Sequence, residues 1–261
     1  MGAFRFRQFD VVQDYAAMKV NTDAVLLGAW MSLPGVCGSN AADPQSSVPR
    51  LLDIGTGTGV IALMAAQRLA GAGMEGVVEA VEIDADACKD ADINFGHAPW
   101  NGIQMVLHKK SLQEFSDSRP DKFNLIFTNP PYFINSLKSS DDAKVLARHT
   151  DTLSQREILY HCAKMLVKGG RLALVLPVTE GEEFLRKVEF IMEHTPDGEN
   201  CFQPRRICRV HTVERKSAKR MLIELEFAPC SKETPHIGQL VMMSGGSFTA
   251  QYAELVNDFY L

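Results

Sequence analysis

One short stretch of the sequence carries side chains that could act on a flat, amino-bearing substrate. Thr128-Asn129-Pro130-Pro131-Tyr132 directly follows the apolar run Phe123–Phe127. Proline has no N–H for a sheet ladder, so two prolines predict a strand that stops and leaves the Asn129 amide at its C-terminal end, where open α/β sheets bind ligands. The amide oxygen and a main-chain carbonyl can accept both hydrogens of an NH2 group, while a phenol ring stacks on its face. The alternative is an ordinary strand-to-loop turn.

A glycine-rich turn lies upstream of this stretch. Asp53-x-Gly55-x-Gly57-x-Gly59 separates an apolar strand that begins at Leu51 from a segment of helical composition, residues 60–66. Glycines let a backbone approach a ligand closely, and strand, glycine-rich turn and helix together open a nucleotide-binding fold. The next predicted strand, residues 77–81, ends at Glu82. A carboxylate there can accept hydrogen bonds from a ribose diol; the alternatives are a structural role for Glu82 and a helix-capping role for Asp84.

Alternating apolar segments predict the elements that position these residues. The sequence predicts seven strands in a mostly parallel sheet with an antiparallel C-terminal hairpin and an N-terminal extension. A short helix capped by Thr22 or Asp23 precedes a flexible loop from Gly35 to Pro49, and Gly169-Gly170 is expected to close a helix that Ser154 begins. We interpret residues 1–49 as an extension and loop that pack on a core domain, residues 50–261. Further expected segments are a helix from Asp84 to Phe95, strands Gln104–His108 and Arg171–Leu176, a helix Glu180–His194, hairpin strands Ile207–Val213 and Met221–Phe227, a short strand Leu240–Met243 and a terminal helix Ala250–Tyr260.

Composition excludes several classes of protein. The chain has 261 residues, is 46% hydrophobic and contains no apolar run of the length that a membrane helix needs. No signal-peptide pattern is present at the N-terminus, so a soluble cytoplasmic protein is expected. The six cysteines lack a C-x-x-C pair and the seven histidines lack metal-ligand spacing. We therefore expect reduced thiols and no metal site.

Charge is distributed unevenly along the chain. The net charge is −5, but residues 203–220 carry seven cations against the single acid Glu214. A local excess of this kind indicates contact with a polyanion. The alternative is a solvated hairpin face. The cations are Arg205, Arg206, Arg209, Arg215, Lys216, Lys219 and Arg220.

Together these motifs resemble the class I S-adenosylmethionine-dependent methyltransferases. The glycine motif is similar to their first motif, Glu82 to their ribose acid and Asn129-Pro130-Pro131-Tyr132 to the fourth motif of enzymes that methylate planar amino nitrogens. Nearly the whole chain is similar to the bacterial tRNA(Val) adenine-N6 methyltransferases, which modify adenosine 37. The blocks that carry this narrower resemblance are residues 19–30, Ala147-Arg148-His149-Thr150 and the closing Phe259-Tyr260-Leu261.

The resemblance implies a Rossmann-like fold, transfer of a methyl group from S-adenosylmethionine to N6 of an adenine in tRNA, and a role for most of the motif residues. Asn129, Pro130 and Tyr132 are the implied catalytic residues. Arg148 joins the basic segment, in particular Arg205, Arg206, Arg215, Lys216, Lys219 and Arg220, as an implied RNA contact. The implied cofactor-binding residues are Lys19, Thr22, Asp53, Gly55, Gly57, Gly59, Glu82, Ile83, Ser111, Leu112 and Asn129. Ser111 departs from the pattern, because relatives typically carry Asp there to accept from the adenine amino group.

The same amide chemistry serves other substrates. A glutamine side chain in a protein, a guanine in ribosomal RNA or an adenine in DNA each presents a planar amino nitrogen. A cofactor-binding scaffold without activity is a further alternative. The identity of the tRNA and the modified position follow only from the resemblance, and the oligomeric state does not follow from the sequence.

Overall fold

The structure is a computed structural model that describes residues 2–35, 48–118, 122–130, 153–195, 199–231 and 233–260. Its helices are α1 Thr22–Trp30, α2 Val60–Gly71, α3 Ala85–Gly96, α4 Leu112–Ser118, α5 Gln155–Met165, α6 Val178–Glu193 and α7 Ala250–Val256. Its strands are β1 Ala3–Arg5, β2 Asp10–Val12, β3 Arg50–Ile54, β4 Gly76–Glu82, β5 Ile103–Lys109, β6 Phe123–Thr128, β7 Leu166–Pro177, β8 Asn200–Val213, β9 Arg220–Pro229, β10 His236–Ser244 and β11 Ser247–Phe248.

The strands form one large sheet in the order β11-β10-β8-β9-β7-β6-β3-β4-β5, with β1 and β2 as a separate antiparallel pair. The five neighbouring strands β7, β6, β3, β4 and β5 are parallel to one another, and the hairpin of β8 and β9 is antiparallel. The seven expected strands are therefore present in a mostly parallel sheet. The sheet is wider than expected, because β10 pairs in parallel with β8 and β11 then pairs with β10.

Both faces of the central strands are buried, which explains their continuous apolar runs. Leu51, Leu125 and Phe127 pack on one face with α1, α2 and α7. Leu52 and Ile126 pack on the other face with α5 and α6. Helices on both faces leave the ends of the strands as the accessible parts of the sheet.

The N-terminal residues belong to the first of these two cores. Phe6 and Val11 are buried in it together with the apolar side chains of α1. The N–H of Arg7 donates to the carbonyl of Phe259 at 2.9 Å, which joins the two ends of the described chain. Residues upstream of the glycine-rich turn therefore help to build the core.

Two helix boundaries differ from the expectation. Asn21, rather than Thr22 or Asp23, caps α1, because its side-chain oxygen accepts the N–H of Ala24 at 3.0 Å. Helix α5 ends at Met165 and Leu166 is already extended, so Gly169-Gly170 lies inside β7 and does not close the helix. Gly170 is needed there for space, since a Cβ would lie 2.9 Å from the Val167 carbonyl oxygen.

The expectation of reduced thiols throughout is wrong for one pair. Cys201 and Cys230 form a disulfide, with Cα atoms 5.4 Å apart. The pairing of β8 with β9 brings them together, since Cys201 is opposite Ala228 in the register. Cys88, Cys162 and Cys208 are free and buried, and burial raises the pKa of each of these thiols. Cys37 lies outside the described residues.

Candidate active site

The predicted site residues meet at the carboxyl edge of the sheet. Ile54 is opposite Thr128 of β6 on one side and Val81 of β4 on the other. Adjacent strands lie about 4.8 Å apart. The next residue of each strand, namely Gly55, Asn129 and Glu82, therefore stands at the same edge, with Gly55 between the other two.

Asn129 is the residue that directly follows the buried strand β6. Its neighbour Thr128 is fixed by a hydrogen bond from its hydroxyl to the Ile54 carbonyl at 2.9 Å. Asn129 is half-buried and Pro130 is buried. The backbone that carries the amide is thus held by the sheet and by proline, as the motif predicted. Tyr132, the predicted stacking residue, and Arg148 lie outside the described residues.

The glycine-rich turn has the backbone conformation for which glycine is required. Gly55, Gly57 and Gly59 have φ values of 67°, 58° and 83°, which side-chain-bearing residues rarely adopt. Among the described residues, a Cβ at Gly55 or Gly57 would meet no atom within 4 Å, whereas one at Gly59 would lie 2.5 Å from the Phe95 ring. Gly59 therefore permits packing against α3, and the first two glycines face open space.

Asp53 is a buried acid beneath this turn. The Thr56 hydroxyl donates to its Oδ2 at 2.7 Å, and the Ala62 N–H of α2 also favours the charged form, while Oδ1 is buried and makes no hydrogen bond of standard geometry in the described part of the chain. Burial, reinforced by the charge of Glu82, raises the pKa of Asp53 to about 7. A buried oxygen without a donor is costly, so Oδ1 is suited either to hold the proton that the raised pKa retains or, when ionised, to receive a donor from a ligand.

Glu82 holds two loops at this edge, the glycine-rich turn that follows β3 and the loop that follows its own strand β4. Its Oε2 accepts the N–H of Gly57 at 2.8 Å, and its Oε1 accepts the N–H groups of Ile83 and Asp84 at 2.9 Å each. A carboxylate offers about four acceptor positions, so roughly one remains for a ribose hydroxyl. The Ile83 side chain is exposed at this edge.

Ser111 is paired with an acid that sequence reasoning missed. Its N–H and hydroxyl lie 3.0 and 2.9 Å from the Glu114 carboxylate, and the hydrogen bond from the Ser111 N–H is the main cause that lowers the pKa of Glu114. The spacing Ser-x-x-Glu is a capping box, which was the available signal. A carboxylate therefore stands beside Ser111 although the expected Asp is absent. Leu112 is buried, so its side chain packs in the core.

Lys19 and Thr22 lie on the segment that leads into α1. Both side chains are exposed, and the Lys19 ammonium group donates to the Gln13 carbonyl. Thr22 is the first residue of α1. The next residue, Asp23, forms an ion pair with Arg220 of β9, whose partner in the register is Pro177 at the end of β7. The start of α1 therefore lies at the same edge as Asn129.

Comparison with known proteins decides the family. Residues 42–194 match the family model named Methyltransferase small domain. The chain is 38% identical to the tRNA1(Val) (adenine(37)-N6)-methyltransferase of Parabacteroides distasonis, over 99% of this chain and 97% of that protein. It is 35% identical to the enzyme of the same name from Vibrio parahaemolyticus, over 99% and 95% of the two chains. The chain belongs to the tRNA1(Val) (adenine(37)-N6)-methyltransferase family.

Solved structures agree on the fold of this methyltransferase. A predicted O-methyltransferase from Agrobacterium tumefaciens aligns with a TM-score of 0.58, over 90% of this chain and 96% of that chain, at 19% identity. A methyltransferase subunit of a type I restriction-modification system from Streptococcus thermophilus aligns with a TM-score of 0.56, over 94% and 53% of the two chains, at 16% identity. These likenesses confirm the class I methyltransferase fold.

The methyltransferase uses S-adenosylmethionine as its methyl donor, and the described residues fit that molecule. Open space above Gly55 and Gly57 admits a ligand beside the main chain. The oxygen of Asp53 that makes no hydrogen bond and the remaining acceptor position of Glu82 are the groups that would offer it polar contacts. Among the described residues, no group of three or more His, Cys, Asp or Glu side chains is arranged to hold a metal ion.

Most arginines of the basic segment are engaged within the methyltransferase itself. Arg205 forms ion pairs with Glu226 and Glu233. Arg206 stacks on the Trp30 ring at 4.1 Å and donates to the Ser32 hydroxyl at 2.5 Å. Arg206 therefore attaches the hairpin to α1, and Arg205 joins β8 to β9 and to the segment that precedes β10. Arg209 and Arg220 are likewise paired, with Glu182 at 2.8 Å and with Asp23 at 2.7 Å.

The remaining three cations, Arg215, Lys216 and Lys219, form the tip of the hairpin between β8 and β9. All three are exposed, and none forms an ion pair with a described residue. Hydrogen bonds from Lys216 N–H to the Val213 carbonyl (3.1 Å) and from Lys219 N–H to the Val210 carbonyl (2.8 Å) fix the turn. We call these three residues the basic tip.

The basic tip projects from the same edge of the sheet as Asn129. Pro177 at the end of β7 is opposite Arg220, and Arg220 is opposite Val210 near the end of β8. Three strand spacings separate β6 from β8, which is about 14 Å. A cavity of about 430 Å³, lined by Glu214 and Arg215 and by the turn at Gly245 and Gly246, lies beside the tip. A long polyanion could therefore contact the tip while one of its bases reaches Asn129.

Proposed function

We propose that this protein transfers a methyl group from S-adenosylmethionine to N6 of an adenine in tRNA, namely adenosine 37 of tRNA(Val). Both curated relatives described above carry that activity in their names. The observation that carries the proposal is the position of Asn129, which directly follows buried β6 and stands next to Gly55 at the carboxyl edge. The main chain that carries the Asn129 amide and the start of the glycine-rich turn thus lie on neighbouring strands, about 4.8 Å apart.

The amino group of adenine is a poor nucleophile because its lone pair is conjugated with the ring. The Asn129 side-chain oxygen and the Pro130 carbonyl accept its two N–H bonds, which draws the nitrogen towards tetrahedral geometry and orients its lone pair. The bound donor supplies a methyl group made electrophilic by a sulfonium. The nitrogen needs no strong base before attack, because its proton becomes acidic once the nitrogen is alkylated.

The target base must leave its stack to reach Asn129, as enzymes that act on bases require. Tyr132 is proposed to stack on the flipped base. The basic tip and Arg148 are proposed to contact phosphates, which gives affinity with little sequence preference. Arg205, Arg206 and Arg220, which the sequence analysis placed with them, act mainly in holding the hairpin, because their guanidinium groups are paired.

The test uses the purified full chain, a methyl-labelled donor and four substrates. These are tRNA(Val) transcript, the same transcript with guanosine at position 37, a duplex DNA and a glutamine-containing peptide. We expect N6-methyladenosine in the first transcript alone, detected by mass spectrometry of digested nucleosides. Label in the peptide or the DNA, with none in tRNA, would overturn the proposal.

A further inference from the structure

Helix α3 holds the N-terminal segment through a buried carboxylate that has no role in the site described above. Asp90 is fully buried, and its two oxygens accept the N–H groups of Asp14, Tyr15 and Ala16 at 3.1, 3.0 and 2.7 Å. No cation pairs with Asp90 among the described residues. A buried charge is costly unless it is fully hydrogen-bonded. The three successive main-chain N–H groups stabilise the Asp90 carboxylate in the way that such groups bind an anion.

Asn94, one helical turn further on, joins the same segment to the glycine-rich loop. Its oxygen accepts the N–H of Val12 at 2.7 Å. Its amino group donates to the carbonyls of Val12 and Thr58, at 2.8 Å each. Thr58 lies between Gly57 and Gly59. One amide therefore contacts both the N-terminal segment and the loop that faces the open space.

Gln13 closes the segment into a loop at its base. Its side-chain oxygen accepts the N–H of Val20 at 2.8 Å, and its carbonyl accepts from the Lys19 ammonium group. We call residues 12–20 the strap. The strap carries two exposed apolar side chains, Tyr15 and Met18, which are 49% and 55% exposed. The Tyr15 ring lies under the Lys89 ammonium group of α3, 5.3 Å from it, so Met18 is the apolar side chain of the strap that is available to cover a ligand.

The strap passes the open end of the glycine-rich loop. Helix α3 packs on β4 and β5, α2 contacts β3 and β4, and α1 packs on β7 and β9. Gly59, at the start of α2, abuts Phe95 of α3, and Gly28 of α1 abuts Met64 of α2. The chain that leaves Ala16 on α3 and enters α1 at Thr22 must therefore cross the N-terminal end of α2, where the glycine-rich loop ends.

We propose that Asp90 and Asn94 are positioning residues that hold the strap as one wall of the methyl-donor site. The inference rests on the part of the proposed function that assigns the glycine-rich turn to S-adenosylmethionine. Asp90 does not touch the donor. It fixes the main chain of residues 14–16, and Asn94 sets the distance between that main chain and Thr58.

The first test replaces Asp90 by Asn, which keeps the shape and removes one acceptor oxygen. The matched control is Asp92→Asn on the same helix, whose carboxylate is half-exposed and pairs with Lys109. Isothermal titration with S-adenosylhomocysteine measures the Kd of each full-length protein. We expect binding to weaken by about ten-fold in Asp90→Asn, equivalent to one hydrogen bond to a charged group, and to stay within about two-fold in the control.

Two further readouts separate positioning from general stability. Hydrogen exchange of residues 12–20 is expected to accelerate in Asp90→Asn while exchange in β3 and β6 stays slow. In steady-state assays the KM for S-adenosylmethionine is expected to rise, with kcat and the KM for tRNA unchanged. A strap that exchanges faster while the Kd for S-adenosylhomocysteine keeps its wild-type value would overturn the inference.

A second variant covers the case in which Asp90→Asn does not fold. Gln13→Ala leaves α3 untouched and removes the hydrogen bond that closes the strap, so we expect a several-fold higher Kd for S-adenosylhomocysteine at unchanged melting temperature. An unchanged Kd in this variant would also reject the positioning role. If the wild-type protein itself bound no S-adenosylhomocysteine, the cofactor assignment would fail first, which distinguishes the two failures.

Discussion

The guanidinium Nε of Arg220 lies 2.7 Å from Oδ2 of Asp23, so the first residue of β9 is joined to the first turn of α1. Asp23 is largely buried, and the pair is part of the hairpin's attachment to the core. A strongly basic segment thus contains two kinds of cation. Some attach the hairpin, and those of the basic tip face solvent.

The two kinds are expected to respond differently to substitution. Replacing Arg215, Lys216 and Lys219 together by Ala should reduce the slope of log K against log salt for tRNA binding by about two to three, since each phosphate contact contributes about 0.7–0.9. The melting temperature should not change. Filter binding across a salt series measures the slope.

Arg220→Ala serves as the comparison. It removes the hydrogen bond and ion pair from Arg220 Nε to the Asp23 carboxylate, so we expect a loss of about 1 kcal/mol in unfolding free energy and a salt slope close to that of the wild type. Equal slopes for the wild type and the triple variant would remove the basic tip from the RNA-binding surface.

Asn129 is expected to control turnover rather than cofactor affinity. In Asn129→Ala the amino group loses the acceptor that weakens its conjugation, so kcat should fall by about 100-fold or more, as when one preorganised hydrogen-bonding group is removed from other active sites. The Kd for S-adenosylhomocysteine should stay within about three-fold. Single-turnover kinetics and titration calorimetry measure the two quantities, and abolished binding with intact chemistry would contradict the assigned role.

Substitutions of two glycines in the same turn are expected to have different effects. Gly59→Ala places a Cβ 2.5 Å from Phe95 at a φ of 83°, so packing of α3 must shift and we expect a loss of about 2–3 kcal/mol in stability. Gly57→Ala meets no atom of the described residues within 4 Å, so the strain of its positive φ should cost about 1 kcal/mol.

The methyl group that Gly57→Ala introduces would nevertheless enter the space assigned to the methyl donor. We therefore expect Gly57→Ala to weaken S-adenosylhomocysteine binding more than Gly59→Ala does, once each is measured at a temperature where the protein is folded. Urea unfolding and calorimetry report the two effects. The reverse order of affinities would place the donor elsewhere.

The central strands and the placement of the motifs at their ends could be predicted from sequence, because these features depend on local patterns. Phe123–Thr128 is apolar throughout and ends at prolines, and the glycines of the first turn follow a similar strand. Pairing between distant segments is not local. The register that brings Cys201 near Cys230, and the parallel pairing of β10 with β8, leave no periodic signal in either segment.

The partners of the charged side chains could likewise not be predicted from the sequence. Seven cations between residues 203 and 220 count equally in a charge sum, yet Arg205 meets Glu226 across the hairpin and Arg206 stacks on Trp30, which lies more than 170 residues away. Asp90 gave no signal either, because its three partners are main-chain N–H groups that every sequence contains.

Asp53 predicts a pH dependence of stability. Its pKa is raised from 3.8 to about 7 in the folded protein by burial, so between these values the folded state holds a proton that the unfolded state has released. Unfolding free energy must then fall as pH rises through this window, by up to about 1.4 kcal/mol per pH unit, and level off above pH 7.

The variant Asp53→Asn tests this prediction. It keeps an oxygen for the Thr56 hydroxyl and cannot ionise, so the difference between its unfolding free energy and that of the wild type should grow from pH 5 to pH 7 and then stay constant. Urea unfolding of both proteins at pH 5, 6, 7 and 8 measures the difference, and parallel curves over that range would show that Asp53 is already ionised in the folded protein at pH 5.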